Sequence, residues 1–282
     1  MEQQSLEAIS RQQKQAWDKF SSGWEKWDEL TMDFLKPQGD AIITALRLSP
    51  TDRVLDIASG TGEPALSIAK VVSAGKVIAT DLSDGMLAVA KGHAVSKGIV
   101  NFEAIASDAT KLPFADNSFD AVSCRLGMMF FPDMKVAAKE MARVVKPGGR
   151  VVTTVWGSPS ANPWVTAIMG PMNELLNIPA PPPGAPGIFR CATPGIIEDI
   201  FREVGLKNIA SSEIAGIYDY HSEDNFWTYM NDVVAPVVAA MSKATPEEKQ
   251  IIRNKMSEAI QRMNPDGGAK IEYSARMITA EK

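Results

Sequence analysis

One stretch constrains this chain more than any other: Val54-Leu55-Asp56-Ile57-Ala58-Ser59-Gly60-Thr61-Gly62-Glu63-Pro64-Ala65. An apolar run ends in an acid and passes at once into a glycine-rich turn. The segment Arg53 to Ile57 reads as a buried strand, and Glu63 to Val72 as the helix that follows. Glycines at 60 and 62 allow a sharp turn and leave main-chain N–H groups open to a ligand that a Cβ would hold off. The start of the helix adds unpaired N–H donors and the positive end of a dipole. Strand, glycine turn and helix in this order build the nucleotide-type pocket that an open α/β sheet carries at the carboxyl ends of its strands.

The same alternation continues. Lys76 to Thr80 reads as a strand and Asp84 to Lys97 as a helix, with Ser83 or Asp84 as its N-cap. Val100 to Ile105 and Phe119 to Cys124 read as further strands, the latter after the polar turn Ala115-Asp116-Asn117-Ser118. A helix over Met134 to Val145 stops at Lys146-Pro147-Gly148-Gly149, and Arg150 to Trp156 is a fifth strand. Such spacing implies a parallel sheet with right-handed crossovers. Upstream, Ser5 to Leu35 reads as one helix. Its aromatics Trp17, Phe20, Trp24 and Trp27 suit either a helix packed on the main domain or a flap over a ligand. Downstream, Gly157 to Gly195 carries Pro179, Pro181, Pro182, Pro183 and Pro186, which exclude a long helix or a central strand and leave a linker or an active-site loop. Pro194 to Val204 reads as a helix and Lys207 to Glu213 as a strand. Glu223 to Met263 reads as two helices broken near Ala244-Thr245-Pro246, and Ile271 to Ala280 as the last strand.

Composition narrows the function classes. The chain has 282 residues, 45% of them hydrophobic, and a formal charge of -5. Without a basic run, nucleic acid is not an expected partner. Two cysteines, Cys124 and Cys191, spaced for neither a metal nor a disulfide framework, suit a reducing compartment. Met1 to Lys19 is polar and lacks a signal-type apolar core, and no apolar run reaches membrane-spanning length. A soluble cytoplasmic protein without a bound metal is expected, with a homodimer as the assembly to test.

Gly60-Thr61-Gly62-Glu63-Pro64-Ala65 satisfies the dinucleotide fingerprint, and Asp81 stands where that fingerprint asks for a ribose contact. The fingerprint does not separate NAD from S-adenosylmethionine, since a carboxylate there can accept from both ribose hydroxyls of either. Other acids do separate them. Asp56 can serve the ammonium of an amino-acid moiety, directly or through water, and NAD has none. Asp108, in Ala106-Ser107-Asp108-Ala109, can accept from an adenine amino group or cap a turn. Phe119-Asp120-Ala121-Val122 and Val145-Lys146-Pro147-Gly148-Gly149-Arg150-Val151 enter the fourth and fifth strands.

Together the stretches VLDIASGTGEPAL, VIATDLSDGML, ASDATKLPFADNSFDAV and RVVKPGGRVV resemble class I S-adenosylmethionine-dependent methyltransferases. The resemblance is to the branch of the ubiquinone/menaquinone C-methyltransferases, and it covers roughly Arg53 to Trp156. It implies a Rossmann-like, doubly wound α/β sheet of about seven strands in the order 3-2-1-4-5-7-6. The last strand is antiparallel, with an N-terminal helix and a C-terminal helical lid inserted before that strand. Residues 1–50 would form an N-terminal cap and 51–156 the cofactor-binding core. The remainder, 157–282, would complete the sheet and carry a substrate loop (157–195) and the lid (223–263). By the same resemblance Asp56, Ala58, Gly60, Thr61 and Gly62 cradle the methionine part of the cofactor and Asp81 holds the ribose. Leu82 and Met86 flank the adenine, and Asp108 with Ala109 binds its edge. Arg125 sits near the sulfonium end. Ala58 replaces the glycine of many members, and Arg125 a small polar residue of the quinone enzymes.

Methyl transfer from a sulfonium is an in-line displacement that a dry, positioning pocket favours, so no protein nucleophile is required. Met128, Met129, Phe130 and Phe131 follow the fourth strand and suit either a pocket wall or plain core. His93 reads as a surface or packing residue. His221 and Tyr218, just before the lid, are the candidates for assisting deprotonation of an acceptor, and Arg125 for holding an acidic group or an enolate oxygen. Cys124 reads as small buried packing. The expected activity is methyl transfer to a small, apolar or aromatic acceptor at O, C or N. An NAD(P)-dependent oxidoreductase on the same sheet and a cofactor-binding protein without transfer chemistry stand as alternatives.

Overall fold

The computed structural model describes residues 6–282, so Ser5 and the residues before it lie outside the described residues. Seven strands form one sheet: β1 (Arg53–Ile57), β2 (Lys76–Asp81), β3 (Phe102–Ala106), β4 (Phe119–Arg125), β5 (Val145–Trp156), β6 (Lys207–Asp219) and β7 (Lys270–Glu281). Their order is β3-β2-β1-β4-β5-β7-β6. Strands β1 to β5 pair parallel, and β7 runs antiparallel to β5 and β6. This is the order and the antiparallel last strand that the motifs imply. The helices are α1 (Leu6–Lys26), α2 (Asp28–Leu46), α3 (Ala65–Val71), α4 (Asp84–Ser96), α5 (Met134–Val144), α6 (Pro163–Leu175), α7 (Ile196–Glu203), α8 (Glu223–Val233), α9 (Ala235–Met241) and α10 (Pro246–Met263).

Successive strand residues point to opposite faces. On one face Val54, Val77 and Ala79 pack with Ile42 and Leu46 of α2 and with Ile68 and Ala69 of α3. On the other, Leu55, Ile57, Val122 and Val151 pack with Ala137, Ala138 and Met141 of α5. Each fully buried large aliphatic contributes on the order of 1.5–3 kcal/mol. The two layers therefore fix the sheet, and its carboxyl ends become the rigid rim of the site.

Away from this core the elements depart from the sequence expectation. The single helix over Ser5 to Leu35 is two helices meeting at Trp27, and α2 runs on to Leu46 through Pro37. Tertiary partners hold the junction: the Trp27 indole donates to Asp232 of α8 at 2.8 Å, and Thr61 donates to Asp28 at 3.1 Å. The proline-bearing stretch 157–195 contains α6. Pro163 sits in its first turn, where no N–H is needed, and the crowded prolines come only after its end. The lid region holds three helices instead of two, because Pro236 restarts the chain as α9 directly after α8. Strand β6 reaches Asp219, beyond the expected Glu213, because β7 pairs with it as far as Lys270. Helix α6 packs on α9 and α10, and α8 packs on α1.

Candidate active site

The turns after β1, β2, β3 and β4 meet α1, α2, α6, α8 and α9 around one cavity. Its floor is the glycine-rich turn. Ala58, Gly60 and Gly62 are left-handed there, with φ of 56°, 53° and 112°; alanine is small enough to tolerate this, and glycine adopts it freely. The turn is pinned from β2: Ser59 N donates to Thr80 O at 3.0 Å, and Gly60 N donates to Asp81 Oδ2 at 2.9 Å. Asp81 Oδ1 accepts from Ser83 N at 2.9 Å, while Ser83 Oγ caps α4 by accepting from Met86 N at 3.1 Å. Burial pushes the Asp81 carboxyl up, and these N–H donors pull against it.

Nine of the residues expected at a cofactor line the cavity: Ala58, Gly60, Thr61, Asp81, Leu82, Met86, Asp108, Ala109 and Arg125. Asp108 also makes the alternative use of its side chain. Its Oδ1 accepts from Thr110 N at 2.8 Å, closing a turn, and its Oδ2 accepts from Ser10 of α1 at 2.8 Å. Two residues stand behind the lining. Gly62 is a packing glycine: a Cβ there would lie 2.8 Å from Leu66 Cδ1 and 3.2 Å from Ala90. Asp56 is fully buried; Ser123 Oγ donates to its Oδ1 at 2.6 Å, and its Oδ2 has no partner. Desolvation drives this carboxyl up to about 7, opposed by Ser123 and by the charge of Arg125.

Arg125 ends β4 and extends beneath α2, where its Nη2 lies 3.4 Å from Met32 Sδ. Among the described residues it makes no ion pair. Burial lowers its proton affinity, against the opposing fields of Asp56, Glu63 and Asp28.

The other end of the cavity is aromatic. Trp17 stands edge-on to Phe130 with ring centres 5.3 Å apart and edge-on to Trp24 at 6.3 Å. Trp156, Trp164 and Tyr229 close the far side with Ile188 from the proline-bearing stretch and Val233 to Pro236 from α8 and α9. The run after β4 divides between its two readings: Met128 and Met129 are fully buried core, whereas Phe130 and Phe131 line the cavity.

The two deprotonation candidates are not at this cavity. The His221 side chain is 69% exposed and turns to Asp219, its Nδ1 3.4 Å from Oδ1, because the chain leaves β6 outward before α8. Tyr218 is buried in the cluster of Phe34, Tyr220 and Tyr229, behind the wall, and desolvation raises its phenol well above 10. His93, read as a surface or packing residue, packs beneath the floor, with Nδ1 3.0 Å from Thr61 O and Nε2 3.7 Å from Asp28. Cys124 is buried, and desolvation pushes its thiol up to about 12, which makes it packing. The motifs pass over Ser10, Glu63, Trp164 and Tyr229 as lining. Glu63 alone carried a signal, since it follows Gly62 directly; the others are brought in by tertiary folding.

A parallel sheet reversed at its last strand, with a glycine-turn cavity at its carboxyl rim, is the arrangement that the resemblance implies. Residues 55–153 match the family described as a methyltransferase domain. The chain is similar to the demethylmenaquinone methyltransferase of Mycobacterium marinum, at 43% identity over 41% of this chain and 46% of that protein. It is also similar to the ubiquinone/menaquinone biosynthesis C-methyltransferase of Ectopseudomonas mendocina, at 38% identity over 42% and 47%. The chain thus spans less than half the length of either relative. Among solved structures, the YcgJ protein of Bacillus subtilis superposes with a TM-score of 0.59 at 21% identity, covering 86% of this chain and 97% of that one. Phosphoethanolamine N-methyltransferase 2 of Haemonchus contortus gives 0.52 at 20% identity over 87% and 52%. These last two share the fold. No described helix is long and apolar enough to cross a membrane.

Proposed function

We propose that this chain transfers a methyl group from S-adenosylmethionine to a small acceptor with an aromatic or otherwise apolar body. Asp81 carries the reading. Its two oxygens are fixed by the N–H groups of Gly60 and Ser83 while the residue lines the cavity. The carboxylate keeps acceptor capacity for the two hydroxyls of a ribose. The floor fits the rest of the group: no atom lies within 4 Å of where a Cβ on Gly60 would sit, so the main chain there is open to close approach. Ala58, Gly60 and Thr61, with Asp56 and Gly62 behind them, would hold the amino-acid part. Leu82 and Met86 would flank the adenine, and Asp108 with Ala109 would bind its edge.

The bound cofactor would supply an electrophilic methyl on a sulfonium. The protein's contribution is to orient an acceptor against it and to exclude water. Trp17, Trp24, Phe130, Trp156 and Trp164 are suited to both, since flat rigid rings bury large area at little entropic cost. Neither histidine lines the cavity, and positioning is what its aromatic walls offer. The acceptor side is built from α1, α6, α8 and α9, all outside residues 55–153, with Phe130 and Phe131 from the run after β4. Its aromatic lining, more than the relatives' names, supports an aromatic acceptor.

Calorimetric titration with S-adenosylhomocysteine, with NAD as a control, tests the reading. Micromolar binding weakened about tenfold or more by Asp81→Ala is expected, a loss of about 1.4 kcal/mol. Binding of NAD alone would move the site to hydride transfer.

A further inference from the structure

The glycine-rich turn places Thr61 between Gly60 and Gly62, both left-handed. A residue so flanked has little steric guidance, since glycine leaves both of its dihedrals free. The orientation of the Thr61 carbonyl and hydroxyl must come from partners outside the turn. Both partners lie beneath it. Asp28, the first residue of α2, accepts from Thr61 Oγ1 at 3.1 Å. His93, toward the end of α4, sets its Nδ1 3.0 Å from Thr61 O.

A carbonyl oxygen only accepts, so this contact requires a proton on Nδ1 of the ring. His93 Nε2 then faces Asp28 Oδ2 at 3.7 Å, the two side chains being 23% and 22% exposed. A ring protonated at both nitrogens donates to both acceptors, and one protonated at Nδ1 alone still holds Thr61. Asp28, His93 and Thr61 thus close a loop of contacts through α2, α4 and the turn. The neighbouring charges do not compete for it. Glu63 is taken by Lys97 of α4 at 3.5 Å and by Ser67 N at 3.1 Å. Arg125 feels the field of Asp28 without pairing with it. Among the described residues, His93 is the one basic side chain in ion-pair range of Asp28.

We infer that His93 is a positioning residue, one that holds the Thr61 carbonyl and so keeps the glycine-rich turn in the shape that receives the cofactor. The inference rests on the cofactor reading above and adds to it a residue outside the cavity. His93 does not line the cavity; it acts through Thr61, which does. The hold comes from α4, the helix that Ser83 caps beside Asp81. One rigid helix therefore supports the site at two places. Its start is tied to Asp81, and about two and a half turns later His93 braces the floor.

The test sets a donor against bulk, by calorimetry of the full chain with S-adenosylhomocysteine. His93→Leu keeps most of the bulk and has no donor; His93→Asn is smaller but keeps an N–H near the place of Nδ1. His93→Leu should bind about tenfold more weakly than wild type, the scale of one lost hydrogen bond at a buried carbonyl. His93→Asn should stay within about threefold of wild type on the same scale. Long-range proton–nitrogen NMR of the wild-type rings should show His93 carrying its proton at Nδ1. The chain has two histidines, so the spectrum of His93→Asn assigns the signal. Thermal melting confirms that both variants fold, and the wild-type spectrum decides even where one does not. His93→Leu binding like wild type, both variants weakened alike, or a ring protonated at Nε2 alone overturns the inference and leaves the cofactor reading standing. A folded wild-type protein that binds no S-adenosylhomocysteine overturns both.

Discussion

Asp56 shows how a residue chosen for a ligand weighs on the protein that carries it. Its carboxyl is fully buried, with one oxygen on Ser123 and the other unpartnered, and its midpoint of about 7 stands above the ordinary 3.8. The folded chain therefore favours the protonated form. The stability from this group is complete below the unfolded value and is lost as pH rises through 7. A shift of this size corresponds to about 4 kcal/mol. Without ligand, the melting temperature should fall between pH 5 and pH 8, and Asp56→Asn should flatten that fall and melt higher at pH 8; equal slopes in the two proteins would refute the assignment. The same variant should bind S-adenosylhomocysteine more weakly. The acid was legible in the sequence because it closes a strand before a glycine turn, but its burial and its missing partner arise from β4, β2 and α2, which no local motif encodes. Gly62 makes the complementary case. The fingerprint marks it as a ligand glycine, whereas Leu66 and Ala90 need its missing Cβ. Gly62→Ala combines a left-handed φ with that overlap and should cost about 2–4 kcal/mol in urea unfolding.

At the scale of elements, α1 is the part most exposed to test. Asp18 reaches across to the start of α4 and accepts from Ser83 Oγ at 2.6 Å and Gly85 N at 3.2 Å. Lys14 bridges Asp18 and Asp84 at 2.8 and 2.7 Å. At the other end, Gly23 presses its backbone against the carbonyl of Asp232 in α8. These contacts account for a helix whose aromatics suited both packing and a flap: Phe20 is buried, while Trp17 and Trp24 face the cavity. Gly23→Ala should force α1 away from α8 at a cost of about 1–3 kcal/mol, read by urea unfolding. It should quench the difference in tryptophan emission between free and ligand-bound protein. An unchanged unfolding midpoint would mean that α1 is not clamped there. Helical periodicity gave the existence of this element, and Ser83 as the cap of α4 was equally local. The break at Trp27 is held by a partner about 200 positions away and could not be read from its own neighbourhood.

Across the whole molecule, the division between legible and illegible follows contact distance along the chain. The half that holds the glycine turn is made of strand–turn–helix units, each complete within a few dozen residues, and its strand order agrees with the resemblance that its motifs carry. The aromatic half joins α1 to α6, α8 and α9, which lie far apart along the sequence, so the reading of His221 and Tyr218 rests on proximity in sequence to a lid, and the fold puts neither at the cavity. Because both halves share one cavity, ligand should stabilise them together. At 100 times its dissociation constant, S-adenosylhomocysteine should add about 2.7 kcal/mol to global unfolding, with hydrogen-exchange protection spreading from the turn at Gly60 into α1 and α8. Protection confined to the turn would show that the halves respond separately.

Helix α1 supplies Ser10, Gln13, Trp17 and Trp24 to the cavity wall and is fastened at both ends. One wall of the cavity is therefore a helix held by a few side chains. Loosening its clasp on α4, as in Asp18→Ala, should speed ligand release, which stopped-flow tryptophan emission would read.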